Sequence, residues 1–264
     1  MTIAALQVAR TGLDAQNERM RVIANNLANV NTNGFKRDRA QFETLAYQSI
    51  TAPGAASGGE NKFATGLSLG SGVQIGATAK IATQGTLNQT DNSLDLAISG
   101  EGFFQVTMPD GRTAYTRDGN FNLSAEGTIV TSDGMALNPQ IQVPQNIEKL
   151  TIGADGTVTA QIAGQSELQE LGKIQTARFV NTAGLESIGN NLMIETPASG
   201  AAQVGDAGTD GRGKIQQGSL ESSNVNITEE LIDMIETQRA YEVNSKMISA
   251  TDSMLQYANQ NIGR

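Results

Sequence analysis

The length, composition and charge of the chain exclude several classes of function. Its 264 residues include 29 glycines, no cysteine, no histidine and no tryptophan, and only 38% of them are hydrophobic, which indicates a protein rich in loops and turns. Disulfide bonds, thiol chemistry, histidine metal ligands and histidine-activated nucleophiles are therefore excluded. A net charge of −9 argues against nucleic-acid binding, which requires a basic surface.

No stretch of the sequence has the pattern of a membrane span or a cleavable signal. A spanning helix needs about 20 mostly apolar residues, and the chain contains no such run. The first part of the chain has neither a continuous apolar segment nor a small-residue cleavage site. We therefore predict no membrane insertion and no cleavable secretory signal.

The first element in chain order is a predicted helix over residues 1–34. Its apolar residues recur at intervals of three and four, which places them on one face of a helix with about 3.6 residues per turn. The pair Asn33-Gly34 favours the left-handed conformation that ends helices, so the helix is predicted to end between residues 29 and 34. The predicted seam consists of Leu6, Leu13, Met20, Ile23, Leu27 and Val30.

The middle of the chain divides into a linker and a β-rich region. Residues 35–72 are predicted to form an extended linker, because the stretch 51–72 is rich in Gly, Ala and Ser. From residue 73 to 225, short apolar runs alternate with turn dipeptides such as Asp110-Gly111 and Asp118-Gly119, a pattern typical of hairpins. Residues 73–225 are therefore predicted to form a separate β-rich domain.

The last element is a second predicted helix over residues 226–264. Residues 227–262 contain no Gly and no Pro, and Asn226 with Glu229 resembles a capping box. A helix of this length exceeds what a small core can cover, so it needs a partner. Its predicted seam consists of Ile227, Leu231, Met234, Tyr241, Ile248 and Leu255.

The two helices are complementary in charge. Residues 1–40 carry six basic and three acidic side chains, whereas residues 225–264 carry six acidic and three basic side chains. We therefore predict an α+β fold in which long N- and C-terminal helices pair into an inner coiled-coil domain, with a β-rich central domain inserted between them.

No short motif in the chain predicts catalysis. Gly208, Gly213 and Lys214 match the spacing of a phosphate-binding loop, but Ile215 follows where a magnesium-binding hydroxyl is needed. Asp110 and Asp118 could serve as paired carboxylates of a glycosidase, but both occur in turns and few aromatic residues are available to shape a sugar site. We therefore predict neither enzymatic activity nor a cofactor or metal.

Two long signatures resemble those of the bacterial flagellar rod and hook protein family. The first runs from Ala24 to Arg37 and the second from Gly218 to Gln260, and the segments 100–105, 115–121 and 184–189 are similar to the β domain of the longer members. The resemblance thus spans most of the chain. The signature residues in the first segment are Asn25, Asn26, Leu27, Asn29, Asn33, Gly34 and Phe35.

The resemblance implies a structural subunit of the flagellar basal body, and the length and the bridge at 51–72 fit the distal rod. Such a subunit would polymerise into a stiff helical tube of many copies that transmits torque and encloses the export channel, with the helices inside and the β domain outside. Its partners would be proximal rod subunits and the hook protein at the ends, and the surrounding rings. Export to the periplasm would need no cleavable signal.

Two alternatives remain open from the sequence. Within the family, the chain could be a proximal rod or hook subunit. Outside it, the chain could be a β-domain binding module or a carbohydrate-active enzyme that its terminal helices dimerise. A rod subunit polymerises, whereas a binding module forms a compact oligomer of defined size with a ligand pocket.

Overall fold

Two helices flank a long series of strands. The computed structural model describes residues 2–54, 56–58, 61–62, 64–164 and 167–262. Helix α1 spans Thr2–Ala28 and helix α2 spans Ile227–Ile262. The predicted α+β class, with terminal helices flanking a β-rich region, is confirmed. None of the described helices combines the length and hydropathy needed to cross a bilayer.

The chain divides into two compact units. The first, here called the helical unit, comprises Met1–Leu27, Asp38–Ala79 and Ile227–Arg264. The second, the sheet unit, comprises Ala28–Arg37 and Lys80–Asn226. Each unit is therefore built from segments that are far apart in sequence, and the chain passes between the two units several times.

The helical unit contains paired strands as well as the helices. Its strands are β1 Asp38–Thr44, β2 Tyr47–Thr51, β3 Ala56–Gly58, β4 Asn61–Lys62, β5 Leu67–Gly70 and β6 Val73–Lys80. Strand β1 pairs with β6, while β2 with β5 and β3 with β4 form antiparallel pairs. The described part of the region 35–72, expected as an extended linker, therefore contains ribbons of paired strands in which the backbone satisfies its own hydrogen bonds.

The sheet unit is built on many short strands. They are β7 Leu87–Gln89, β8 Leu96–Ser99, β9 Phe103–Thr107, β10 Thr113–Thr116, β11 Phe121–Leu123, β12 Ile129–Thr131, β13 Ala136–Leu137, β14 Ile147–Ile152, β15 Thr157–Ile162, β16 Leu168–Lys173, β17 Gln175–Arg178, β18 Glu186–Gly189, β19 Leu192–Ile194, β20 Gln203–Asp206, β21 Lys214–Gln217 and β22 Ser219–Glu221. A 3-10 turn lies at Thr182–Gly184.

A nine-stranded sheet dominates this unit. Its main order is β11-β12-β13-β9-β10-β19-β18, and β17 pairs with both β9 and β20. Strands β14, β15 and β16 form a second sheet, and the pairs β8–β21 and β7–β22 complete the unit. The core is apolar, with the rings of Phe104 and Phe121 in edge-to-face contact at 5.3 Å between centroids. Because β22 pairs with β7, the segment that immediately precedes α2 belongs to the sheet unit.

Candidate functional site: the terminal helices and the signature loop

One signature residue, Asn26, connects three parts of the helical unit. Its Oδ1 accepts a hydrogen bond from the backbone N–H of Asp38 at 2.9 Å, and its Nδ2 donates to the carbonyl oxygen of Asp38 at 2.9 Å. Nδ2 also lies 3.3 Å from each carboxylate oxygen of Glu230. Only a carboxamide offers the donor and the acceptor that these contacts need, which explains an asparagine at this buried position.

Helices α1 and α2 contact each other in an antiparallel arrangement. Arg19 forms an ion pair with Asp233 at 3.3 Å. Arg19 precedes Asn26, which contacts Glu230, by about two turns of α1. Farther along, a Cβ atom at Gly12 would lie 3.1 Å from Nδ2 of Asn244. Along this series of contacts the residue numbers decrease on α1 and increase on α2, so the helices run in opposite directions. In this ion pair the basic residue lies on α1 and the acidic residue on α2, as the complementary charges of the two helices predict.

The predicted seam residues of α1 are at least partly covered. Ile23 is buried at 4% exposure, whereas Leu6, Leu13, Met20 and Leu27 are half-buried. Val30 is also half-buried, but it lies in the turn that follows the end of α1 at Ala28.

The predicted seam residues of α2 differ in exposure. Met234, Ile248 and Leu255 are half-buried. Ile227, Leu231 and Tyr241 are exposed.

Two polar residues are buried on the described part of α2, and sequence reasoning missed them. Glu230 and Thr237 are 1% and 0% exposed, and they lie on the same face as Asn244, Ile248 and Leu255. Thr237 satisfies its hydroxyl by donating to the carbonyl oxygen of Asp233 at 2.7 Å. The seven-residue apolar repeat indicates only the large side chains, whereas Glu230 is buried because it contacts Asn26 of α1 and Thr237 because its hydroxyl bonds within α2.

The rest of the signature forms a loop inside the sheet unit. Gly34 has φ +69°, and a Cβ atom there would lie 2.5 Å from the backbone carbon of Arg117, so only glycine fits. Asn29 accepts a hydrogen bond from the hydroxyl of Thr32, and the carbonyl of Asn33 accepts one from Asn191.

The two remaining signature residues, Phe35 and Asn25, lie on either side of this loop. The ring of Phe35 lies under the ammonium of Lys80 at 5.5 Å. Asn25, the remaining signature position, is exposed on α1.

A buried ion cluster lies beside this loop and was not predicted. The carboxylate of Glu221 forms ion pairs with the ammonium of Lys36 and, at 3.1 Å, with the guanidinium of Arg117. All three side chains are at most 5% exposed. Burial lowers the pKa of Lys36 and of Arg117 below the usual values, and the Glu221 carboxylate opposes both shifts. The sequence offers little signal for such a cluster, since Lys36 and Glu221 are 185 residues apart.

The motifs rejected as catalytic serve as turns. The N–H of Gly208 donates to the carbonyl of Gly213 at 3.0 Å, which closes the glycine-rich segment into a loop, and Lys214 lies on β21. The carboxylate of Asp110 accepts hydrogen bonds from the backbone N–H and the Nε of Arg112, which lowers the pKa of Asp110. Turn chemistry accounts for both motifs.

Comparison with known proteins identifies the family. Residues 6–36 match the family described as flagella basal body rod protein, residues 97–160 the D1 domain of flagellar hook proteins FlgE/F/G, and residues 216–261 the C-terminal region of flagellar basal body rod FlgEFG proteins. The chain is 50% identical to the flagellar basal-body rod protein FlgG of Buchnera aphidicola subsp. Acyrthosiphon pisum, over 98% of this chain and 99% of the relative. The chain belongs to the flagellar basal-body rod protein family.

Other rod proteins match over nearly the full length. FlgG of Caulobacter vibrioides is 47% identical over 97% of this chain and 98% of its own, and FlgG of Bacillus subtilis is 41% identical over 93% and 94%. The predicted family is confirmed, as are the predicted location in the flagellar basal body and the structural, non-enzymatic role. Full-length similarity to FlgG agrees with the distal rod subunit that the resemblance implied.

Proposed function

We propose that this rod protein polymerises into a stiff helical tube, the distal rod, which transmits torque and encloses the export channel. Each copy contacts further copies of itself, the ends of the tube meet proximal rod subunits and the hook protein, and the outer surface faces the surrounding rings. The chain reaches the periplasm by export across the inner membrane without a cleavable signal.

The observation that carries this proposal is the exposed apolar surface of α2. Ile232, Ile235, Val243 and Met247 are 51–57% exposed, although the helix has polar residues buried on its other face. Exposed apolar residues grouped on one element indicate an interaction surface. A subunit that joins head to tail with copies of itself needs such a surface, because its contacts do not close within one chain.

The length of α2 supports the same proposal. Its 36 residues extend over about 54 Å at 1.5 Å per residue. Helix α1 has 27 residues against the 36 of α2, so α2 extends further than α1 can cover, and its additional turns can pack against neighbouring copies. We therefore propose that the helices of many copies form the inner coiled-coil layer, with Ile248 and Leu255 in its seam, and that residues 73–225 form the outer domain.

A charge placed on the exposed apolar face tests the proposal. Ile235→Asp should leave the monomer folded, because Ile235 is 51% exposed, but it should block assembly, since each copy would bury an unpaired carboxylate against its neighbour. The matched control is Gln238→Glu, which adds the same charge at an exposed polar position of the same helix. Rods are counted by electron microscopy of basal bodies, and swimming is measured in soft agar.

The expected result is a folded, exported Ile235→Asp chain without distal rods, and normal rods with Gln238→Glu. Full rods and normal swimming with Ile235→Asp would refute the proposed role of this face.

A further inference from the structure

The ion cluster of Lys36, Arg117 and Glu221 joins the segments of the sheet unit that follow α1 and precede α2 in sequence. Lys36 belongs to the loop that follows α1, and Glu221 ends the strand that precedes α2. Arg117 follows strand β10 in the middle of the chain. Three segments that are far apart in sequence therefore meet at a single carboxylate.

Both oxygens of the Glu221 carboxylate accept hydrogen bonds. Its Oε1 accepts hydrogen bonds from the Lys36 ammonium and, at 2.9 Å, from the backbone N–H of Gly85, while Oε2 accepts one from Arg117. The cations have backbone partners too, since Lys36 donates to the carbonyl of Thr83 at 2.9 Å and Arg117 donates to the carbonyl of Gly100 at 2.6 Å. Buried charges are tolerated only when they are paired and hydrogen-bonded in this way.

Backbone contacts on either side of the cluster hold the same two segments together. The N–H of Gly34 donates to the carbonyl of Glu221 at 2.7 Å. The N–H of Arg37 donates to Oδ1 of Asn224 at 2.7 Å, and Nδ2 of Asn224 donates to the carbonyl of Ile81 at 2.8 Å. The loop after α1 and the segment before α2 thus lie side by side over several residues.

We infer that Glu221 is an electrostatic lock that holds the loop at residues 34–37 and the segment at residues 221–225 together in the sheet unit. Removal of its charge leaves the buried cations Lys36 and Arg117 without the carboxylate that they share, and the loop around Lys36 opens to relieve this. The lock forms only when the sheet unit has brought the three segments together, so the loop after α1 stays open in a chain whose sheet unit is not folded.

Trypsin cleavage of the full chain tests the lock, because Lys36 and Arg37 are themselves trypsin sites. Glu221→Gln keeps the shape of the side chain but removes its charge, and it should raise the rate of cleavage after residues 36 and 37 by about 10- to 100-fold. The control, Glu126→Gln, removes an exposed carboxylate of the same unit and should leave that rate unchanged. Fragments are identified by intact mass spectrometry.

A second variant keeps the test decisive if Glu221→Gln unfolds the whole sheet unit. Lys36→Met removes one cation and leaves the pair of Glu221 with Arg117, so the unit should stay folded while cleavage after Arg37 rises. Wild-type rates at Arg37 in Lys36→Met, or at both sites in a folded Glu221→Gln chain, would overturn the lock.

The effect of the lock on assembly rests on the proposed function and is measured separately. Cells that carry Lys36→Met should build fewer rods, because the loop is loosened in every subunit. Faster cleavage with normal rods would support the lock and remove its role in assembly, whereas unchanged cleavage would refute the lock whatever the rods do.

Discussion

Substitution of Asn26 by aspartate tests the arrangement of the helical unit, because it changes one atom of a buried side chain. The Nδ2 of Asn26 donates to the carbonyl oxygen of Asp38 at 2.9 Å and to the Glu230 carboxylate at 3.3 Å. Aspartate replaces this donor by a second carboxylate oxygen. Both hydrogen bonds are lost, and a negative charge is placed beside another in a site where both residues are about 1% exposed.

The expected cost follows from these contacts. A hydrogen bond between neutral groups contributes about 1 kcal/mol, and one to a charged group about 1.5 to 3 kcal/mol. Repulsion between the two carboxylates adds to this, limited by uptake of a proton. We therefore expect Asn26→Asp to reduce the free energy of local opening of the helical unit by about 3 to 5 kcal/mol.

Hydrogen exchange measured by mass spectrometry can detect this change region by region. Amides in the last turns of α1 and in β1 should exchange at least about 100-fold faster in Asn26→Asp, since each 1.4 kcal/mol is a factor of ten. Amides of the nine-stranded sheet should not change. Asn17→Asp is the matched control, because Asn17 is an exposed residue of the same helix. Equal exchange in Asn26→Asp and wild type would refute the assigned role of Asn26.

Three further predictions concern single positions. Gly34→Ala should lower the free energy of unfolding by about 1 to 2 kcal/mol from the positive φ alone, and by more from the contact of the new methyl group with the backbone of Arg117, as measured by urea unfolding. Ile248→Asp should abolish rods and swimming without loss of the sheet unit, whereas Asp252→Ser, at an exposed position, should be mild, and normal swimming of the first variant would contradict the seam. Burial raises the pKa of Asp118, so its ionised form is disfavoured in the folded protein. Asp118→Asn should therefore be more stable than wild type at neutral pH, and the difference should disappear as pH falls below the unfolded value of 3.8, where the aspartate is neutral in both states.

Local patterns were sufficient to predict the helices and the β-rich middle. The absence of Gly and Pro from residues 227–262 predicted the 36 residues of α2, and the Asn33-Gly34 pair lies in the turn that follows α1. Turn dipeptides such as Asp110-Gly111 lie between paired strands, because aspartate and glycine fill the positions that such turns need.

Features that depend on pairing of distant segments could not be predicted in this way. The ion pair of Lys36 with Glu221 joins residues 185 positions apart, and no local pattern selects one carboxylate among many. The strands at 38–44 and 73–80 pair around a stretch whose composition alone favours a linker. The buried polar residues Glu230 and Thr237 of α2 were also not predicted, since a search for apolar repeats passes over polar positions.

The central claim is that neighbouring copies cover the exposed apolar residues of α2 in the rod. The chain has no cysteine, so Met247→Cys introduces a single thiol on that face, at a position that is 54% exposed in the monomer. Maleimide labelling of this variant is followed by mass spectrometry in the monomer, in purified basal bodies, and in basal bodies dissociated by denaturant. We predict labelling at least about 10-fold slower in intact rods than in the monomer, with the fast rate restored on dissociation. Equal rates in intact rods and monomer would contradict the account.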